Sequence, residues 1–355
     1  MILSIVILCC DKDYQMVSSL LNNIDNVWYE QHDSFLDYEV IIVDNRENEA
    51  DKDVDWEHHK ADITIHKSGS NIMQFAARAI GTQLAKGDYI WFIDADDSIL
   101  EIPRLPEPDT EDPTSIGPDM IFFSTTANST NLMLYEDMPE GYYEADKVYE
   151  KFFGMSIAPW NKIISRGLLM DVYKSIASVH VWQGLKERFS VSEDLILNLF
   201  LFTYAHTVYV SKQKCYDYNM QTHAYVLKDV YKKVDMDRLI FRVYDSMWFI
   251  YMHIKLGILS TKFNKILQKN ITNTLLCVVC RLPWCENKQE VINWLTSGWS
   301  KYAIADMLGD IYRNIKFEKR YDVINCIAMI LNTDDDDKIH TMEDLYEALN
   351  TNDVL

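Results

Sequence analysis

The sequence predicts an α/β domain built on a parallel sheet, followed by an all-helical C-terminal domain. Three observations carry this. Short apolar runs alternate with helix-like blocks through the first third of the chain. Each of the main runs is followed by acidic side chains: Asp11, then Asp44 with Asn45, then Asp94 with Asp96 and Asp97. Beyond about residue 230, apolar positions recur at helical spacing only.

Taken in order, residues 2–8 (ILSIVIL) form a continuous apolar run, as a strand buried on both faces requires. Residues 13–24 have apolar positions at helical spacing, and 39–43 (EVIIV) form the second strand. A third short strand at 62–66 precedes Ser68, Gly69, Ser70 and Asn71, whose polar side chains cap a helix over 72–85 that ends near Gly87. The strand at 88–93 (DYIWFI) runs directly into Asp94, Ala95, Asp96 and Asp97. Five of the eight prolines lie between 103 and 118, which predicts a loop. Strand character returns at 119–124, a hairpin or edge fits 130–143, and helices follow from about 145. A strand pair fits 206–220.

Periodic apolar segments at 236–256, 262–281, 287–297, 301–315, 319–331 and 341–349 read as a separate helical domain. The domains are therefore placed at 1–228 and 229–355, the second for acceptor binding, partner contact or homo-oligomerisation. Aromatic residues at 244–252 read as helix core. The tail at 334–355 carries eight acids and one lysine, a solvated acidic segment without the alternating ligands and central glycine of a calcium loop.

Over 355 residues the chain is 48% hydrophobic and 25% charged, a globular composition long enough for a substantial core. Its formal charge of −20 disfavours nucleic acid and anionic lipid as partners. Seven cysteines without regular spacing read as reduced thiols of a cytoplasmic protein. The Cys277/Cys280 pair lacks the further ligands of a zinc site. No segment reaches the roughly 20 apolar residues of a membrane span, so any membrane visit is expected through partners.

In a parallel α/β sheet, ligands bind outside the carboxyl ends of the strands. An Asp-x-Asp closing an apolar strand can hold a hard divalent cation and leave positions open for phosphate oxygens. Taken singly, Asp44 also suits the cap of a turn, Arg78 an ion-pair residue, and Glu193 with Asp194 a helix N-terminus, where acids are favoured by the macrodipole.

The stretch KGDYIWFIDADD at 86–97 resembles the signature of glycosyltransferase family 2, enzymes of the GT-A (Rossmann-like) fold. SIVIL at the start, VIIVDN at 40–45, AARAIG at 76–81, WNK at 160–162 and SEDL at 192–195 follow in that family's order. The resemblance implies a metal-dependent, inverting transfer of a sugar from a nucleotide diphosphate donor, UDP-linked, to a hydroxyl acceptor in glycan assembly. It implies that Asp44 meets the base, Arg78 lies near the diphosphate, and Asp94 and Asp96 face the sugar and Mn²⁺ or Mg²⁺. Asp194 matches the general base, and His223 falls where some members supply a further metal or diphosphate ligand. Trp160, Asn161, Lys162 and Glu193 fall on the acceptor side. By position Cys10, Asp11, Asn71 and Ala95 join the donor-binding set.

The chain departs from the family pattern in three places. Leu8, Cys9, Cys10 and Asp11 stand where Pro, an aromatic and Asn are usual; Asp44, Asn45, Arg46, Glu47 stand for Asp-Asp-Gly-Ser; and Ala79 stands for Asn. Two rival readings follow: a member that has lost catalysis and serves as a binding or assembly subunit, and a nucleotidyltransferase. The second would carry a Gly-rich phosphate loop after the first strand, for which Cys9-Cys10-Asp11-Lys12 is a poor substitute.

Overall fold

The structure, a computed structural model, describes residues 1–10, 14–31, 37–46, 59, 61–106, 117–127, 130–133, 138–156, 158–178, 193–219, 249–250 and 252–263. The chain divides into two compact units, Met1–Lys228 and Asp229–Leu355.

The first unit is a mixed α/β structure. Its elements run β1 (Ile2–Cys9), α1 (Tyr14–Gln31), β2 (Asp37–Asp44), β3 (Asp62–Lys67), α2 (Met73–Leu84), β4 (Tyr89–Asp94), β5 (Ser98–Ile99), β6 (Met120–Ala127), β7 (Thr130–Met133), β8 (Gly141–Glu144), α3 (Ala145–Ser156), β9 (Lys162–Ser165), α4 (Arg166–Ser178), α5 (Glu193–Tyr204) and β10 (Thr207–Tyr218). The strands form one sheet in the order β3-β2-β1-β4-β9-β6-β10-β5, with β7 beside β6 and β8 beside β10.

The first four strands are parallel, as expected. The remainder of the sheet is mixed. β9 inserts antiparallel between β4 and β6, and β10 then runs parallel to β6. The strand pair expected at 206–220 is one long strand, bent by register shifts between Val210 and Tyr216 that let it pair with β6 along its whole length. The 130–143 region supplies two edge strands, β7 and β8, on different neighbours.

Apolar side chains alternate between the two faces of the sheet. Leu3, Ile5 and Ile7 of β1 share a core with Val17, Leu20, Leu21 and Ile24 of α1, and with Trp91, Ile121 and Phe123. Val6 faces the other side, against α2. A Cβ at Gly81 would collide with the Val6 side chain, so α2 lies on β1 only because residue 81 is glycine. On this face α2 packs with α4 and α5, and Phe122 of β6 stacks on Phe202 of α5 at 6.1 Å between ring centroids.

At the opposite end of the strands, Gly87 approaches the β1 backbone so closely that a Cβ would stand 2.8 Å from the Ile2 carbonyl oxygen. Buried Glu39 organises this end, accepting from Ser4 Oγ and the Lys86 amide, each at 2.6 Å.

The topology gathers the site. In the parallel register Cys9 lies opposite Asp44, Asp44 opposite Lys67, and Leu8 opposite Asp94, so these strands end along one edge. Because β9 is antiparallel to β4, it begins at this same edge, which brings Trp160, Asn161 and Lys162 there. β10, parallel to β6, ends at this edge with Tyr216 and Tyr218.

Of the second unit, residues 249–250 and 252–255 are helical, and Thr261–Phe263 form a 3-10 turn. Phe249 and Ile250 are buried, and His253 Nδ1 lies 2.7 Å from the Phe249 carbonyl. The other expected helices of this region, and the Cys277/Cys280 pair, lie outside the described residues. Among the described residues, no helix is long and apolar enough to cross a membrane.

Candidate active site

β4 ends in a tight turn in which the Asp97 amide donates to the Asp94 carbonyl at 3.2 Å. β10 holds this turn from outside. Tyr216 Oη accepts the Asp94 amide at 3.2 Å and donates to the Asp97 carboxylate at 2.5 Å. Asn219 donates its amide to Asp97 at 2.7 Å and its side-chain Nδ2 to the Asp96 carbonyl at 3.2 Å. Trp160 stacks on Tyr216 at 4.9 Å, the rings nearly parallel, and on Tyr218 at 5.1 Å. Burial and the neighbouring Asp94 charge push the Asp97 carboxyl up to about 8, against the opposing hydrogen bonds from Asn219 and Tyr216. Ala95 is buried within the turn.

Arg78 projects from α2 into the same region and is 2% exposed. It joins two acidic centres. Its Nη1 donates to Asp194 at 2.8 Å and lies 3.6 Å from Glu193; its Nη2 lies 3.9 Å from Asp94. Burial opposes the charge, but Asp194, Asp94 and Glu193 together hold the guanidinium above its ordinary range. Glu193, buried at the start of α5, is pushed up to about 7 by desolvation and by Asp194, with Arg78 acting the other way. Asp194 is more open, its side chain 36% exposed. Arg78 is thus an ion-pair residue between Asp94 and Asp194.

Asp44 ends β2, and Arg46 folds back onto it. Both are buried, and the guanidinium engages both carboxylate oxygens, with Nη2 at 2.8 Å. The carboxylate expected to face a nucleotide base is therefore held by an internal cation. Asn71 is exposed, and its side-chain oxygen accepts the Met73 amide at 3.0 Å. Met73 has a left-handed φ of 66°, a conformation of higher energy for a residue with a side chain. Cys10 follows the end of β1 and is half-buried. Asp11 and His223 lie outside the described residues.

The acceptor-side expectation meets buried side chains. Trp160, Asn161 and Lys162 are 7%, 0% and 0% exposed, so they form the floor of this edge. Lys162 Nζ donates to the Ala158 carbonyl and sits 5.0 Å from the Phe122 ring centroid. Desolvation holds its ammonium well below the ordinary range, with Asp194 acting in the opposite direction and Arg78 in the same one.

Among the described residues, no group of three or more His, Cys, Asp and Glu is gathered as a cage for a metal ion. The oxygen donors of Asp94 and Asp96 nonetheless fit Mg²⁺ or Mn²⁺, which are commonly held by one or two carboxylates and completed by substrate phosphate and water.

Residues 4–172 match the family model described as glycosyl transferase family 2. This part of the chain belongs to that family. The chain is accordingly a glycosyltransferase. The matched span contains β1 to β4 and β9 and stops before α5, so Glu193 and Asp194 lie beyond it. No curated protein matches the chain in sequence.

Among solved structures, S. aureus TarS 1–349 is similar in fold, with a TM-score of 0.58 at 13% identity over 99% of this chain and 91% of that one. The same protein in complex with UDP-GlcNAc gives 0.57 at 14% identity, covering 99% and 92%. Its UDP complex gives 0.55 at 15%, covering 98% and 91%.

Three residues of this candidate site were not singled out from sequence. Asp97 was visible as the last acid of the strand-end cluster, but nothing marked it as buried. Tyr216 lies in a tyrosine- and valine-rich strand without a motif. Arg46 appeared only as a departure from the family pattern.

Proposed function

We propose that this glycosyltransferase moves a sugar from a nucleoside diphosphate donor, UDP-linked, to an acceptor hydroxyl with inversion at the anomeric carbon, on a GT-A core. The observation that carries the reading is the joining of Asp94 and Asp194 by Arg78. A strand-end carboxylate for the donor side and a more exposed carboxylate at a helix start are thereby held close without merging, and single displacement needs acidic groups on both faces of the sugar.

In this reading Asp194 accepts the proton of the acceptor hydroxyl as its oxygen attacks the anomeric carbon, and the bond to the diphosphate breaks. Arg78 balances the negative charge around Asp194 and keeps that carboxylate oriented. Asp96, with Asp94, would hold Mg²⁺ or Mn²⁺; bound there, the cation supplies charge stabilisation to the departing diphosphate. Tyr216 and Asn219 fix the turn that carries these two carboxylates. Asp44, Cys10, Asp11 and Asn71 belong to the donor side, and His223 is a further candidate ligand. Trp160, Asn161, Lys162 and Glu193 support the acceptor side. Residues 229–355 are assigned to a helical unit for acceptor binding or self-association.

A UDP-linked donor is supported by the fold shared with TarS, whose complexes hold UDP-GlcNAc and UDP. The Arg46–Asp44 pair favours one rival reading, a binding subunit without transfer, because it closes an expected donor contact. Sugar-nucleotide turnover separates the two. Asp96→Asn should abolish transfer while leaving the melting temperature nearly unchanged, Asp194→Asn should abolish it and also lower the melting temperature because it weakens the Arg78 pair, and NMR of the product should show an inverted anomeric centre. Full activity in either variant rejects the site; nucleotide binding without turnover by the unaltered chain supports the rival.

A further inference from the structure

The pair at the end of β2 carries a consequence for donor selection. Asp44 Oδ1 accepts the Arg46 amide at 3.0 Å and Arg46 Nε at 3.0 Å; Oδ2 accepts Nε at 3.1 Å and Nη2 at 2.8 Å. A carboxylate offers about four acceptor directions, and three N–H groups of Arg46 engage them here, the Nε–H shared between both oxygens. Two of the three belong to a charged, two-pronged guanidinium, a stronger partner than any neutral N–H. The pair is buried, so water does not compete.

The backbone around the pair is also fixed. The Asn45 amide donates to the Cys9 carbonyl at 2.9 Å, and Ser68 Oγ donates to the Asp44 carbonyl at 2.8 Å. The carboxylate therefore sits in a turn tied to both β1 and the end of β3.

We propose that Arg46 closes the Asp44 carboxylate to the nucleobase of the donor, so that this chain does not separate uracil from cytosine at the end of β2. The proposal rests on the nucleotide-donor reading. Uracil carries an N–H at ring position 3, where cytosine carries a bare nitrogen lone pair. An open carboxylate facing that position accepts from uracil and repels cytosine. A neutral ring N–H cannot displace a bidentate guanidinium, so with Arg46 in place uracil gains nothing over cytosine.

Dissociation constants for UDP and CDP, measured by calorimetry with Mg²⁺ on the full chain, test this. The unaltered chain should bind the two within about threefold. Arg46→Ala should open the carboxylate and favour UDP by tenfold or more, and adding Asp44→Asn to it should return the ratio toward parity. Should Arg46→Ala fail to fold with its carboxylate unpaired, Arg46→Lys keeps a cation but gives up the two-pronged grip, and an intermediate ratio is expected. A tenfold or greater preference for UDP in the unaltered chain overturns the proposal and leaves the donor reading intact. An unchanged ratio in folded Arg46 variants also overturns it. No binding of either nucleotide by the unaltered chain or the variants, all melting cooperatively, rejects the donor reading and this proposal together.

Discussion

Arg78 on α2 donates to the Asp194 carboxylate on α5 at 2.8 Å across 116 residues of sequence. The same guanidinium lies within 4 Å of Asp94 and Glu193, so one buried cation serves three carboxylates from the end of β4 and the start of α5. Without it, burial and mutual repulsion would oppose bringing those elements together.

Replacement of Arg78 by Ala should therefore lower the unfolding free energy by about 3–5 kcal/mol, the range for removing one partner of a buried ion pair. Urea unfolding followed by circular dichroism measures it. A loss under about 1 kcal/mol would mean that the pairs are solvated and structurally idle.

The Asp97 turn predicts a different loss. Tyr216→Phe keeps the ring stacked on Trp160 but removes the oxygen that accepts the Asp94 amide and donates to Asp97. Leaving these groups without that partner should lower stability by about 1–3 kcal/mol and weaken metal-dependent donor binding. Thermal unfolding and a Mn²⁺ titration with donor read the two effects separately.

The part of the metal-free chain's stability that comes from two raised carboxyls should fall as pH rises, while buried Lys162, held below its ordinary range, acts in the opposite direction. Glu193 and Asp97 have their carboxyls raised to about 7 and about 8, so the folded state holds protons that the unfolded chain has released. Their contribution is fully present below about pH 4 and is lost as pH climbs through 7 and 8. In EDTA, the melting temperature of the unaltered chain minus that of Asp97→Asn should decline between pH 5 and pH 8.5. A difference that rises across this window would contradict the assignment.

Much of the first unit was legible in the sequence because strands buried on both faces must be apolar throughout. ILSIVIL, EVIIV and DYIWFI read as strands for that reason, and the acids after them read as a site because only a strand end lets such groups reach solvent. β9 was not legible: four residues, KIIS, carry no periodicity, and only pairing with β4 and β6 makes them a strand. Nor were the partners of the charged groups. Arg78 gave a motif position, but its pairing with Asp194 depends on packing α2 against α5, and the closing of Asp44 by Arg46 depends on a turn conformation.

Gly81 was read as part of a family motif, and the structure gives its physical reason. Gly81→Ala should destabilise by about 1–3 kcal/mol through collision with Val6. Val6→Ala, harmful alone, should recover part of that loss in the double variant, a coupling measurable by a double-mutant cycle in urea.

The central claim is that Asp94 and Asp96 bind a sugar nucleotide through a divalent cation. The most direct test is the melting temperature of the chain with UDP-GlcNAc, with and without Mn²⁺, beside the Asp96→Asn variant. At a ligand concentration 100 times its dissociation constant, binding to the folded state alone adds about 2.7 kcal/mol, a shift of several degrees. The account predicts that shift in the unaltered chain with Mn²⁺ present and its loss in Asp96→Asn. An equal shift in both proteins, or a shift indifferent to the metal, would contradict it.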